Sequence, residues 1–166
     1  VSACMNTNPM MIYFGQEFGE LGMDSEGFSG RDGRTTIFDY RSVDTIRRWR
    51  NGGKFDGKML TEDQKHIYSI YQRILTLCNK EKAITEGEFF DLMYANANGW
   101  RFNEHKQYTF LRKAGKELLF IIVNFDHISV DVAINVPSHA FDFLQIPQMD
   151  IYPAVDLLTG KTESIS

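Results

Sequence analysis

Five acids crowd one glycine-rich stretch. Glu17, Glu20, Asp24, Glu26 and Asp32 fall within residues 15–33, among six glycines and beside Gln16, Arg31 and Arg34. Paired carboxylates are the first candidates for proton transfer. Glycosidic cleavage needs two carboxyl groups roughly 5–10 Å apart, held on rigid elements, and a long glycine-rich loop is a poor platform for that. The expectation for Glu17 is therefore structural: it hydrogen-bonds the end of a preceding strand to neighbouring loops. The stretch lacks GxGxxG ahead of a helix and lacks GxxxxGK[ST], so a phosphate cradle is disfavoured. Acids beside arginines and amides suit hydroxyl-rich ligands better, because sugars present donors and acceptors together.

Other chemistry is sparse. His66, His105, His127 and His139 show no HxxxH or HExxH spacing, which argues against zinc. No GxSxG is present, and the loop acids lack EF-hand spacing for Ca²⁺. Trp100, with Tyr94 and Phe102 and near Asn96, Asn98 and Asn103, reads either as a sugar-stacking platform or as a hairpin loop packing onto a sheet. Cys4 and Cys78 do not make a disulfide framework. They suit a reduced compartment or buried thiols, and Cys78, on an apolar helix stripe with no basic neighbour in sequence, reads as a buried thiol.

These residues must be positioned by a packed chain. With 166 residues, 43% hydrophobic and 13% aromatic, one domain or two small ones are expected. The net charge of −4 argues against nucleic acid and anionic membrane as partners. Residues 1–83 carry +1 and residues 84–166 carry −5. No apolar run reaches the ~18 residues of a membrane helix. The chain begins at Val1 rather than Met, so a trimmed start is expected and the lack of a signal peptide carries little weight.

Residues 10–14, bounded by Pro9 and Gly15, read as a buried strand. Ser42 is placed to cap a helix through Arg50, with Asn51-Gly52-Gly53 ending it. Thr61 and Gln64 form a capping box for a helix over residues 62–80, with Ile67, Ile70, Tyr71, Ile74, Leu77 and Cys78 on one apolar face. Tyr68, Tyr71 and Phe55 read as packing residues. Beyond residue 81 the period changes to two. Strands are expected at 86–93, 108–112, 117–124, 129–136 and 151–158, with a last short one after Thr159-Gly160-Lys161. Residues 113–116 form a hairpin turn, and the nearly continuous apolar run 118–123 reads as a central strand.

The segment Pro9-Met10-Met11-Ile12-Tyr13-Phe14-Gly15-Gln16-Glu17 resembles the P-x-x-Y-x-G-x-E strand and exit loop of the α-amylase family of glycoside hydrolases. Arg31-Asp32-Gly33-Arg34, Ala83-Ile84-Thr85-Glu86-Gly87-Glu88-Phe89, Phe110-Leu111-Arg112 and the run ending Val123-Asn124-Phe125 follow in the family's order. The resemblance implies an α+β fragment: residues 1–82 as the last strand, rim loop and closing helices of a (β/α)8 barrel, and residues 83–166 as an antiparallel all-β sandwich. It implies a parent enzyme that hydrolyses α-glucans or maltooligosaccharides with retention. Gln16, Glu17, Arg31, Asp32 and Arg34 would rim its substrate site. The family's three catalytic carboxylate motifs are missing from these residues, so no catalytic residue is assigned and the chain alone is expected to be inactive. Ca²⁺ is an option for the parent only. An accessory module that binds sugar through Trp100, or a purely structural one, is the alternative. A strand cut from its barrel would leave unpaired edges, so self-association through residues 1–60 is expected.

Overall fold

The computed structural model describes residues 1–20 and 43–166. Arg31, Asp32 and Arg34 lie outside the described residues, as do Ser42 and most of the glycine-rich stretch. The chain is mixed α and β with antiparallel pairing throughout, and no closed barrel is present among the described residues. It divides into two compact units, one of Val1–Pro9 with Thr76–Ser166 and one of Met10–Leu75.

In the Met10–Leu75 unit, residues 10–13 have no regular structure, where a buried strand was expected. An apolar run becomes a strand only when a neighbour takes its backbone hydrogen bonds, and no strand pairs with it among the described residues. Met11 is 88% exposed and Phe14 58%. A 3-10 turn at Gln16–Phe18 follows. Helix α2 spans Asp44–Arg50, with Val43 rather than Ser42 at its N-cap. It ends where expected, with Asn51 in the left-handed region and Gly52 and Gly53 at positive φ. Its acidic first turn and its basic last turn both complement the helix dipole.

The core of this unit is Phe18, Val43 and Leu60, all buried. Phe18 stacks on Trp49 at 5.4 Å and on Tyr68 at 5.1 Å between ring centroids. Phe55 meets the edge of Trp49. Of the three aromatics expected to pack, Tyr68 stacks on buried Phe18, Tyr71 is half-buried and accepts from Gln16, and Phe55 touches Trp49 while 56% exposed.

Helix α3 spans Glu62–Lys80. Its capping box is formed: Thr61 N donates to Gln64 Oε1 at 3.0 Å, and Gln64 N donates to Thr61 Oγ1 at 3.2 Å. The apolar stripe is half-buried, with Ile70 left exposed.

The other unit begins with the single turn α1 (Ser2–Met5) and, after α3, the turn α4 (Lys82–Thr85). Its main sheet has the order β1 (Glu88–Asp91), β2 (Gln107–Ala114), β3 (Glu117–Asn124), all antiparallel. The hairpin between β2 and β3 closes over Gly115-Lys116, with Gly115 at φ +57, a region glycine adopts without strain. The expected central strand is corrected: β3, carrying residues 118–123, is an edge strand with Leu118 and Ile122 exposed, and β2 is central. An apolar run signals burial on both faces but not the number of neighbouring strands.

Phe90, Leu111 and Phe120 form one cross-strand row. They pack with Leu92, Ala140, Leu144 and Ile146, so helix α6 (Ser138–Leu144) covers this face. The alternate row places Arg112 on the opposite face, against α4. Residues 129–136, expected as a strand, are irregular. They are held instead by Asn96, buried after the turn α5 (Met93–Asn96) begins: its amide donates to the Leu92 and Asn135 carbonyls and accepts from Asn135 N at 2.7 Å. A separate hairpin pairs β4 (Tyr152–Val155) with β5 (Thr162–Ile165).

Candidate functional site

The Gly15–Glu20 turn is built by its backbone. The Gly15 carbonyl accepts from both Phe18 N and Glu20 N at 3.0 Å. Gly15 sits at φ +86, where a Cβ would also lie 3.0 Å from Glu20 Cβ. The turn fixes its three polar side chains differently. Gln16 Nε2 donates to Tyr71 Oη at 2.7 Å, and Gln16 Oε1 accepts from Tyr13 N at 3.3 Å. Glu20 Oε2 accepts from Thr45 Oγ1 of α2. Glu17 Oε2 is out of solvent yet has no hydrogen-bond partner among the described residues. Among the described residues, Gln16 and Glu20 make side-chain hydrogen bonds at this turn. Among the described residues this oxygen of Glu17 is uncommitted, whereas a polar atom shut off from solvent is normally hydrogen-bonded.

The second candidate lies in the sheet unit. Phe89, Phe90 and Asp91 of β1, Tyr94 of α5, and His139 and Phe143 of α6 line an open groove of about 350 Å³. Phe90 is its centre, with ring centroids 5.4 Å from His139, 5.8 Å from Phe143 and 6.4 Å from Tyr94. Tyr94 Oη and His139 Nε2 are hydrogen-bonded at 2.5 Å, which fixes both rings. Asp91 Oδ1 accepts from Met93 N. Aromatic faces with a carboxylate, a phenol and an imidazole at the margin can stack on a ring and exchange hydrogen bonds with hydroxyl groups.

The sugar platform expected around Trp100 is not assembled as one surface. Phe102 is buried, Tyr94 belongs to the groove, and Trp100 is not among the groove's lining residues. Trp100 is 75% exposed, with the Arg101 guanidinium 4.7 Å from its ring centroid. Nearby, Asn103 Oδ1 accepts from His105 N, and the backbone N of Asn98 donates to Glu104 Oε2. Phe90, His139 and Phe143 were not anticipated. The available signal was Pro137-Ser138 ahead of apolar residues at 140, 141 and 144, a helical spacing.

Among the described residues no cluster of three or more His, Cys, Asp or Glu is arranged to hold a metal ion, and no helix is long and apolar enough to cross a membrane. No family model, no curated protein and no solved structure matches the chain.

Proposed function

We propose that the chain is the C-terminal part of an α-amylase-family glycoside hydrolase that acts on α-glucans with retention. The observation that carries this reading is the ordered series of motifs from Pro9 through Phe125. Two of its features have physical counterparts. The Gly15-Gln16-Glu17 motif forms a tight turn that leaves a carboxylate oxygen of Glu17 without a partner among the described residues. The glycine of Ala83-Ile84-Thr85-Glu86-Gly87 lies where two backbone carbonyls leave no space for a Cβ. In this reading Gln16, Glu17, Arg31, Asp32 and Arg34 rim the substrate site, the chemistry belongs to carboxylates outside these residues, and the isolated chain does not hydrolyse glycosides. It self-associates through residues 1–60.

A second reading, a glycan-binding accessory unit, is favoured by the groove around Phe90. Calorimetric titration of the chain with maltoheptaose tests it. Heat that is lost in Phe143→Ala and kept in Trp100→Ala assigns binding to the groove; the reverse assigns it to Trp100. No heat with any form leaves the unit a structural one and removes this reading.

A further inference from the structure

Cys4 and Cys78 are 74 positions apart, yet their Sγ atoms lie 3.6 Å from one another, and both are free, half-buried thiols. We propose that they are a built disulfide site, closed by a low-molecular-weight disulfide such as oxidised glutathione, that covalently joins the two ends of the stretch holding the whole Met10–Leu75 unit. Closure needs the sulfurs to approach by roughly 1.5 Å to reach bonding distance. Cys4 belongs to α1, a single helical turn with no buried residue, so the cost of that movement is small.

The surroundings set the order of events. Burial pushes the Cys78 thiol up to about 12, with the neighbouring Cys4 adding to it. The Arg112 guanidinium interacts electrostatically with Cys4 and hydrogen-bonds the adjacent Met5 carbonyl at 3.1 Å. Burial makes Cys78 the poorer nucleophile, so Cys4 is the attacking sulfur. Its thiolate displaces one glutathione thiolate from the oxidant and forms a mixed disulfide. The Cys78 thiolate then attacks Cys4 Sγ and expels the second glutathione thiolate. The two protons lost by the protein thiols end on the two glutathione molecules, and the oxidant is reduced by two electrons. The bond closes a loop around residues 5–77, so a nick anywhere inside it leaves the two pieces joined.

The test is to equilibrate the purified chain with excess oxidised glutathione at about pH 8.5, near the free thiol pKa. Intact mass and free thiols are then measured. The expected product is a chain that is not covalently linked to another, lacks two hydrogens and has no free thiol and no glutathione attached. Trypsin-nicked material should run as one band without reductant and split with dithiothreitol. Cys4→Ser and Cys78→Ser should each remain split. A chain that ends with two glutathiones, that bridges to a second chain instead, or that keeps both thiols while an unfolded control loses them would overturn the proposal.

Discussion

Arg112 Nε donates to the Ala83 carbonyl oxygen at 2.9 Å, tying the central strand β2 to the turn α4. Its Nη2 donates to the Ile84 carbonyl at 2.6 Å and its Nη1 to Met5 at 3.1 Å. The side chain is 2% exposed. Burial lowers its pKa below the free value, and Cys4 and Glu88 act in the opposite direction. A guanidinium serves this position because its fork reaches three carbonyls at once. Arg112→Met removes all three bonds and leaves buried acceptors unpaired. A loss of about 3 kcal/mol is expected, seen as a lower urea midpoint with an unchanged slope. Arg112→Lys should recover only part of it. A change within the error of the midpoint would show that the carbonyls find other donors.

Gly87 occupies the step from α4 into β1. A Cβ there would stand 2.3 Å from the Ala83 carbonyl oxygen and 2.7 Å from that of Lys113. Neither oxygen is free to move, since Ala83 O holds Arg112 and Lys113 lies in the β2 ladder. Gly87→Ala is expected to cost about 3 kcal/mol or more through overpacking, and to reduce soluble yield. A variant as stable as the parent chain would mean that α4 can slide on the sheet.

Three turn aspartates have carboxyl groups held below the usual range, so each contributes stability that is lost in acid. The hydrogen bond from Lys106 holds Asp126 below the usual carboxylate range, helped by the His127 backbone. Thr159 does the same for Asp156, and Asn51 for Asp56. A depressed folded pKa stabilises above the unfolded value and loses that contribution as pH falls through the folded one. Asp126→Asn should therefore lower the urea midpoint by a constant amount from about pH 5 to 8, with the difference shrinking below about pH 4. A difference that persisted unchanged into acid would remove charge as the cause.

Met11 and Phe14 place two large apolar side chains on the surface of the Met10–Leu75 unit. Exposed apolar groups on a chain segment with no strand partner promote association. Sedimentation at rising concentration should give a mass above 19.2 kDa, moving back toward it in the Met11→Ser, Phe14→Ser double variant. A monomer at every concentration would contradict self-association through residues 1–60.

Local signals were legible in the sequence. The capping box at Thr61 and Gln64, the left-handed stop at Asn51 and the Gly115 turn each depend on residues within a few positions, and each is formed. Non-local ones were not. Whether residues 10–14 or 129–136 become strands depends on partners far along the chain, and Asn96 captures the second segment instead. The groove is not legible in the sequence: Tyr94 reads there as a neighbour of Trp100, and Phe90 and His139 meet it only through the packing of α6 on the sheet. Of the rim residues, only Gln16 and Glu17 fall within the described residues, and Gln16 is committed to Tyr71.

In the proposed α-glucan hydrolase, the catalytic carboxylates lie elsewhere in the same protein. The most direct test is reducing-end release from maltoheptaose, measured side by side for the product of the whole reading frame that contains residues 1–166 and for residues 1–166 alone. The expected result is hydrolysis by the former, with retained anomeric configuration, and none by the latter. An inactive whole product, or equal activity in residues 1–166 alone, would contradict it.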